Sequence, residues 1–81
     1  MSPDLLSAIG EALFGPFWQV ELANTLGINR RTIRRWLNSE FAVPDAITDS
    51  LLALCKNRNV EILHLIKETE IEIAKRPRPA A

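Results

Sequence analysis

The chain has 81 residues, which is enough for one domain, and a domain of this size buries only about 60% of its unfolded surface. Ten basic and ten acidic residues give a net charge of zero. With one cysteine and one histidine, the chain can form neither an internal disulfide nor a His/Cys metal cluster. We therefore expect no cofactor. We also expect a homodimer, in which a second chain enlarges the small core.

No apolar run approaches the roughly 20 residues that a bilayer span requires. The N-terminus begins with an acidic segment, Met1-Ser2-Pro3-Asp4, and lacks the basic and then apolar pattern of a signal peptide. A lone cysteine, Cys55, suits a reducing compartment. We therefore expect a cytoplasmic protein with no membrane partner.

Local sequence signals mark where helices begin and end in the first part of the chain. Residues 2–4 (Ser-Pro-Asp) supply a capping hydroxyl, a proline at the first helical position and an early acid, and Gly15-Pro16 ends this first helix. A second helix fits 19–26, with Val20 among the residues expected to face inward, and Gly27 stops it.

Asn29 can cap a third helix that runs to about Asn38, and Pro44 opens a further helical segment. From there to about Lys75 there is no glycine or proline, so the segment is one long helix or two helices broken near residues 57–59. No strand-like alternation occurs. The sequence predicts an all-α fold, a compact four- to five-helix bundle with a central helix-turn-helix.

We assign residues 3–57 to this domain, 58–76 to a C-terminal helix for dimerisation, and 77–81 to a disordered tail. The C-terminal helix carries more apolar residues than a small monomeric core can cover, although it could instead close over the first helix within one chain. We expect it to form a dimer interface, whose candidate residues are Ile62, Leu63, Ile66 and Ile73.

The basic residues are concentrated, with four arginines in the six positions 30–35 and no acid between Glu21 and Glu40. At about 100° per residue the four arginines lie within an arc of about 140°, with Ile33 and Trp36 on the opposite side. Arginine's planar fork can donate two hydrogen bonds to guanine and also pairs with phosphate. This helix therefore suits the major groove of double-stranded DNA.

We expect Arg30, Arg31 and Arg34 to contact bases, because residues near the start of such a helix reach base edges, and Asn29 and Thr32 to add polar contacts. The candidate DNA-binding residues are Gln19, Asn29, Arg30, Arg31, Thr32, Arg34 and Arg35. Gln19 is expected to hold a phosphate, and Arg35 a phosphate or a base.

The spacing of six residues resembles the helix-turn-helix signature of the lambda-repressor/Cro-like transcriptional regulators: Gln19, Ala23, Gly27, Ile28, Ile33 and Trp36. The resemblance covers roughly residues 5–65. It implies a helical domain that binds operator DNA as a dimer, usually to repress transcription and often that of its own operon. The size is typical of phage- or plasmid-borne autorepressors and of antitoxins. One departure is Asn38-Ser39, where many members have a glycine.

Other interpretations stay open. The arginines could form a solvated charged face, and some domains of this kind serve only as protein adaptors. The aromatic side chains are expected to pack in the core or at hinges rather than to stack on bases: Phe14, Phe17, Trp18, Trp36 and Phe41. His64 is expected to lie at the surface or in an interface.

No catalytic set, glycine-rich phosphate loop or metal set occurs at a plausible spacing, so we expect no enzyme and no small-molecule substrate. The sequence predicts a homodimeric, sequence-specific DNA-binding regulator on an inverted repeat. The alternative is an antitoxin-type interaction module that masks a protein partner through its C-terminal helix.

Overall fold

The computed structural model of this chain describes residues 1–77, and within this range every regular element is helical and no strand occurs. The elements in chain order are α1 (Pro3–Phe14), a 3-10 turn (Gly15–Phe17), α2 (Trp18–Leu26), α3 (Arg30–Leu37) and α4 (Asp45–Ala74). None of the described helices is long and apolar enough to cross a membrane. The prediction of an all-α fold is confirmed. Of the predicted tail, residues 78–81 lie outside the described residues.

The structure is elongated, with principal extents of 63 × 21 × 21 Å and a radius of gyration of 18.0 Å. A compact chain of this length would have a radius of gyration of about 12 Å. The difference arises because α4 continues beyond the packed part of the chain, and residues 56–77 are all exposed. The predicted compact bundle of four to five helices is therefore not found, since only α1, α2, α3 and the beginning of α4 pack together.

Helix α4 is a single helix of 30 residues. The low-propensity segment at residues 57–59 does not interrupt it, because asparagine costs only a few tenths of a kcal/mol within a helix and neither glycine nor proline is present. This settles the choice between one helix and two that the sequence left open.

The ends of α1 follow the local sequence. The Ser2 hydroxyl accepts a hydrogen bond from the Leu5 amide at 3.1 Å, and Pro3 occupies the first helical position. Gly15 ends the helix with φ of 79°, a conformation that favours glycine. The 3-10 turn that follows carries the chain directly into α2.

Helix α1 is the centre of the packed region, where it contacts α2, α3 and α4, while α2 also contacts α3. The side chains that fill this core are Leu6, Trp18, Leu22, Ala23, Ile33, Trp36, Val43 and Leu51. Burial of this apolar surface holds α2 and α3 against α1. The core therefore fixes the orientation of α3, on which the predicted site depends.

At Gly10, α1 lies close against the beginning of α2. A Cβ atom built on Gly10 would collide with the indole ring of Trp18, which is itself 4% exposed. Glycine is thus required here for packing, and the indole fixes the beginning of α2 against α1.

Candidate nucleic-acid interface

The connection between α2 and α3 is only three residues long. Gly27 adopts φ 67° and ψ 33°, the left-handed conformation, and its amide donates to the carbonyls of Ala23 and Asn24. The Ile28 amide also donates to the Ala23 carbonyl, at 3.0 Å. Gly27 therefore satisfies the end of α2 while it reverses the chain direction.

Asn29 begins α3 as an N-cap. Its side-chain oxygen accepts a hydrogen bond from the Arg31 amide at 2.8 Å, and its carbonyl accepts one from the Thr32 amide at 2.9 Å. Asn29 is exposed, but its side-chain oxygen is already used by the cap. The two N–H groups of its side-chain amide remain free to donate to a ligand.

Helix α3 has a buried side and an exposed side. Ile33 is fully buried and Trp36 is 6% exposed, so these two side chains anchor the helix in the core. All four arginines are exposed: Arg30, Arg31, Arg34 and Arg35. Thr32 lies at the boundary and is half-buried. One face of the helix is fixed, and the other presents guanidinium groups to solvent.

The arginines of α3 have no carboxylate partner among residues 1–77. The salt bridges in this part of the chain are Arg58 with Glu61 at 3.5 Å and Lys75 with Glu72 at 3.4 Å, both on α4. Four positive charges thus lie on two helical turns without neutralisation by the protein itself. Such an arrangement produces a locally positive field that attracts anions.

Gln19 lies beside the arginine face. An open cleft of about 300 Å³ separates the beginning of α2 from α3. Its lining residues are Pro16, Phe17, Gln19, Val20, Arg30 and Arg34. The structure thus brings three of the predicted DNA-binding residues, Gln19, Arg30 and Arg34, around one concave surface.

Two residues of this cleft were not expected at a polar surface. Val20 was predicted to face inward, yet it is 41% exposed, and Phe17 is 78% exposed. The prediction for Val20 is wrong because Trp18 occupies the buried position at the start of α2, and Val20, two residues further along the helix, points about 160° away from it toward solvent. The Gly-Pro pair before Phe17 was the available signal, since it marks a tight turn that projects the following side chain.

The remaining aromatic side chains divide between the core and the surface. Trp18 and Trp36 are buried and Phe14 is half-buried, as predicted. Phe41 is 60% exposed, and the Arg35 guanidinium lies 5.8 Å from the centre of its ring. This cation–π contact holds the Arg35 side chain beside Phe41, just after the end of α3.

The turn after α3 contains a strained residue. Ser39 has φ of 60°, its amide donates to the Trp36 carbonyl, and the Glu40 amide donates to the Arg35 carbonyl at 2.9 Å. This pair of hydrogen bonds is the Schellman motif, in which glycine usually takes the left-handed position. The pair Asn38-Ser39, which departs from the family pattern by lacking a glycine, thus includes the residue at which a glycine would relieve strain, Ser39.

The four predicted dimer-interface residues lie on the projecting part of α4. Ile62, Leu63, Ile66 and Ile73 are each between 46% and 50% exposed, and His64 is also exposed. Nothing in the packed region covers them. The alternative that this helix closes over α1 within one chain applies only to its beginning, where Leu51 is fully buried.

Comparisons with protein-family models, with curated proteins and with solved structures return no match to this chain. Within residues 1–77 no three acidic, histidine or cysteine side chains group as metal ligands. The site is therefore characterised by its own geometry: a positive helix, an adjacent cleft and a rigid connection.

Proposed function

We propose that this chain is a sequence-specific double-stranded DNA-binding regulator that acts as a homodimer. In this proposal α2 and α3 are a helix-turn-helix unit, and α3 is the recognition helix that enters the major groove. The observation that carries the proposal is the exposed face of four arginines on α3, none of which pairs with a carboxylate in the described part of the chain.

The arrangement supports separate roles for the arginines. Arg30 and Arg34 line the cleft with Gln19 and are one helical turn apart, so they reach adjacent base pairs when α3 lies in the groove. Arg31 is exposed beside them. Arg35, held near Phe41, is placed for a phosphate at the edge of the groove.

The beginning of α2 supports a phosphate contact. Gln19 is the second residue of α2, and it opens onto the same cleft as Arg30. Contacts of this kind set the register of the protein on the duplex without reading its sequence. Phe17, exposed at the rim, adds an apolar surface that can contact a deoxyribose.

The resemblance to lambda-repressor/Cro-like regulators supports a repressor that binds an inverted repeat, with one recognition helix for each half-site. Two-fold symmetry of a homodimer matches that of such an operator. A second candidate function, masking of a protein partner, is favoured by the exposed apolar side chains of α4. The two functions differ in the surface that they use, so they can be tested separately.

The test is a selection of bound sequences from a random duplex library, followed by fluorescence-anisotropy titration of the selected duplex and of a scrambled duplex at several salt concentrations. We expect the selected duplex to bind at least about 1,000-fold more tightly, with an affinity that falls steeply with salt. Failure to enrich any sequence, together with no binding at low salt, would refute the proposal.

The first variant is Arg34→Ala, which should weaken specific binding by about 1–3 kcal/mol for each half-site and relax the preference at one base pair. The matched control is Lys67→Ala, which removes the same charge from an exposed position on α4. If both variants lose the same affinity, only net charge matters and α3 does not read the sequence.

A further inference from the structure

The projecting part of α4 has one apolar stripe that continues the buried face of the same helix. At about 100° per residue, Ile62, Ile66 and Ile73 all lie within about 60° of the direction of Leu51. Leu51 is fully buried against the domain, whereas the other three are about half exposed. The face that packs against α1 thus extends beyond the domain without a covering element in residues 1–77.

The stripe has the spacing of a coiled coil. Residues at alternating intervals of four and three along α4 form its seam: Cys55, Asn59, Ile62, Ile66, Thr69 and Ile73. The seam is apolar at its centre and polar at Asn59 and Thr69, which lie at equal distances from the midpoint at residue 64. A seam with this spacing packs side by side with a second helix.

Charges flank the seam in an ordered way. Lys56 and Arg58 border its beginning, and Glu70 and Glu72 border its end. The members of each pair lie on opposite sides of the seam, and Leu63 and Leu65 occupy the equivalent positions at its centre. The projecting helix therefore carries two basic residues where it leaves the domain and three acids within residues 68–72, which Lys75 and Arg76 follow.

We propose that the α4 stripe is covered by the α4 helix of a second copy of this chain, in the antiparallel orientation. With residue 64 at the two-fold axis, Ile62 faces Ile66 of the second copy, Asn59 faces Thr69, and Cys55 faces Ile73. Apolar residues then meet apolar residues in the central layers, and the two polar residues meet each other.

The same register pairs opposite charges on both sides of the seam. Lys56 lies beside Glu70 of the second copy, and Arg58 lies beside Glu72, at each end of the paired helices. The Arg58–Glu61 and Lys75–Glu72 bridges within one copy do not oppose this, because their side chains are largely exposed and exposed pairs of this kind are weak. Leu63 and Leu65 each meet their own equivalents at the centre.

A parallel pair lacks this complementarity. It brings Lys56 and Arg58 of both copies to one end and Glu70 and Glu72 of both copies to the other, so like charges meet at each end. The two orientations also differ in where they place the domains. The antiparallel pair puts them at opposite ends of the helices, whereas the parallel pair puts them side by side.

This inference deepens the homodimer of the proposed function by naming the surface and the orientation of the pair, and it holds whether or not the chain binds DNA. If the chain binds DNA, the length of α4 sets the distance between the two recognition helices. Both orientations have a two-fold axis, so an inverted repeat remains compatible with the antiparallel pair.

Disulfide cross-linking distinguishes the orientations with the cysteine that the chain already has. In the antiparallel pair the two Cys55 residues are about 27 Å apart, from the helical rise of 1.5 Å per residue, far beyond the roughly 7 Å between Cα atoms that a disulfide permits. Under oxidation, the unsubstituted chain should stay uncross-linked in non-reducing electrophoresis. Ile73→Cys should form a covalent dimer through Cys55 of one copy and position 73 of the other.

The control is the double variant Cys55→Ser with Ile73→Cys, in which the antiparallel pair again separates the two cysteines and no cross-link is expected. Cross-linking of the unsubstituted chain, or of this double variant, would demonstrate a parallel pair and overturn the proposal. Absence of a cross-link in Ile73→Cys would also overturn it. None of these outcomes depends on DNA.

The dissociation constant of the dimer supplies a second, independent measurement. Ile66→Asp places a charge in the seam and should raise this constant at least about 100-fold in sedimentation equilibrium. Ile71→Asp is the matched control, because Ile71 is about equally exposed but lies on the opposite side of α4, and we expect less than about a threefold change. Neither side chain supports the domain, so circular dichroism should report an intact fold. A monomeric unsubstituted chain, or equal effects of the two substitutions, would refute the pairing.

Discussion

The contact between Gly10 and Trp18 allows packing and helix propensity to be distinguished by one substitution, Gly10→Ala. Packing predicts that this substitution lowers the free energy of unfolding, whereas helix propensity alone predicts that it raises it. Replacement of an interior helical glycine by alanine stabilises a helix by about 1 kcal/mol when nothing else changes. In this protein the new Cβ atom would overlap the indole of Trp18, and that ring is 4% exposed within the core. We therefore expect Gly10→Ala to destabilise the fold.

The magnitude follows from the geometry. Overpacking of a core costs about 1–3 kcal/mol, and the upper value applies because the overlapped atoms belong to a rigid, buried ring and not to the end of a flexible side chain. Subtraction of the helix-propensity gain leaves a net loss of about 2 kcal/mol. This loss corresponds to a melting temperature lower by about 8–16 °C for a domain of this size.

The assay is urea-induced unfolding followed by circular dichroism and by tryptophan fluorescence, at several protein concentrations so that dimerisation does not affect the comparison. Ala8→Gly, at an exposed position of the same helix, measures the propensity difference alone and should cost about 1 kcal/mol. In a Trp18→Leu background, Gly10→Ala should no longer destabilise. An increase in stability of about 1 kcal/mol on Gly10→Ala in the unsubstituted chain would refute the packing argument.

Three further substitutions test the elements that position α3 and α4. Asn29→Ala should lower the free energy of unfolding by about 1 kcal/mol through loss of the cap, whereas Asn29→Asp should preserve it; equal losses would show that the side-chain oxygen is not the stabilising group. Ser39→Gly should raise that free energy by about 0.5–1 kcal/mol because it relieves a left-handed conformation, and a lower value in urea unfolding would contradict the observed turn. Leu51→Ala should cost about 2–5 kcal/mol and Leu52→Ala less than about 1 kcal/mol, since only the first is buried; similar losses in thermal unfolding would contradict the packing of α4 on α1.

The helix boundaries of the packed region could be predicted from the sequence because local chemistry determines them. The cap at Ser2, the stop at Gly15, the left-handed turn at Gly27 and the cap at Asn29 each depend on interactions within four residues. The division of α3 into a buried and an exposed face also follows from helical periodicity alone. These features therefore did not require knowledge of the tertiary structure.

The features that the sequence did not predict depend on contacts between elements. The exposure of Val20 follows from the position of Trp18 against Gly10, which no local pattern encodes. Phe17 and Phe41 lie in the turns before α2 and after α3, outside the core that the buried side chains form. The projection of α4 likewise reflects the small area that α1 offers, which accommodates Leu51 but nothing beyond Cys55.

The clustering of four arginines on α3, with no acid between Glu21 and Glu40, lets a protein of zero net charge still present a positive surface. The acidic residues 68–72 lie at least 14 positions beyond Leu54, the last core-packed residue of α4, which places them about 20 Å or more from the packed region. The Debye length in physiological salt is about 8 Å, so these acids are screened from the arginines of α3. The uninterrupted α4 helix therefore keeps the acidic residues 68–72 away from the predicted DNA surface and available for the basic residues of a second copy.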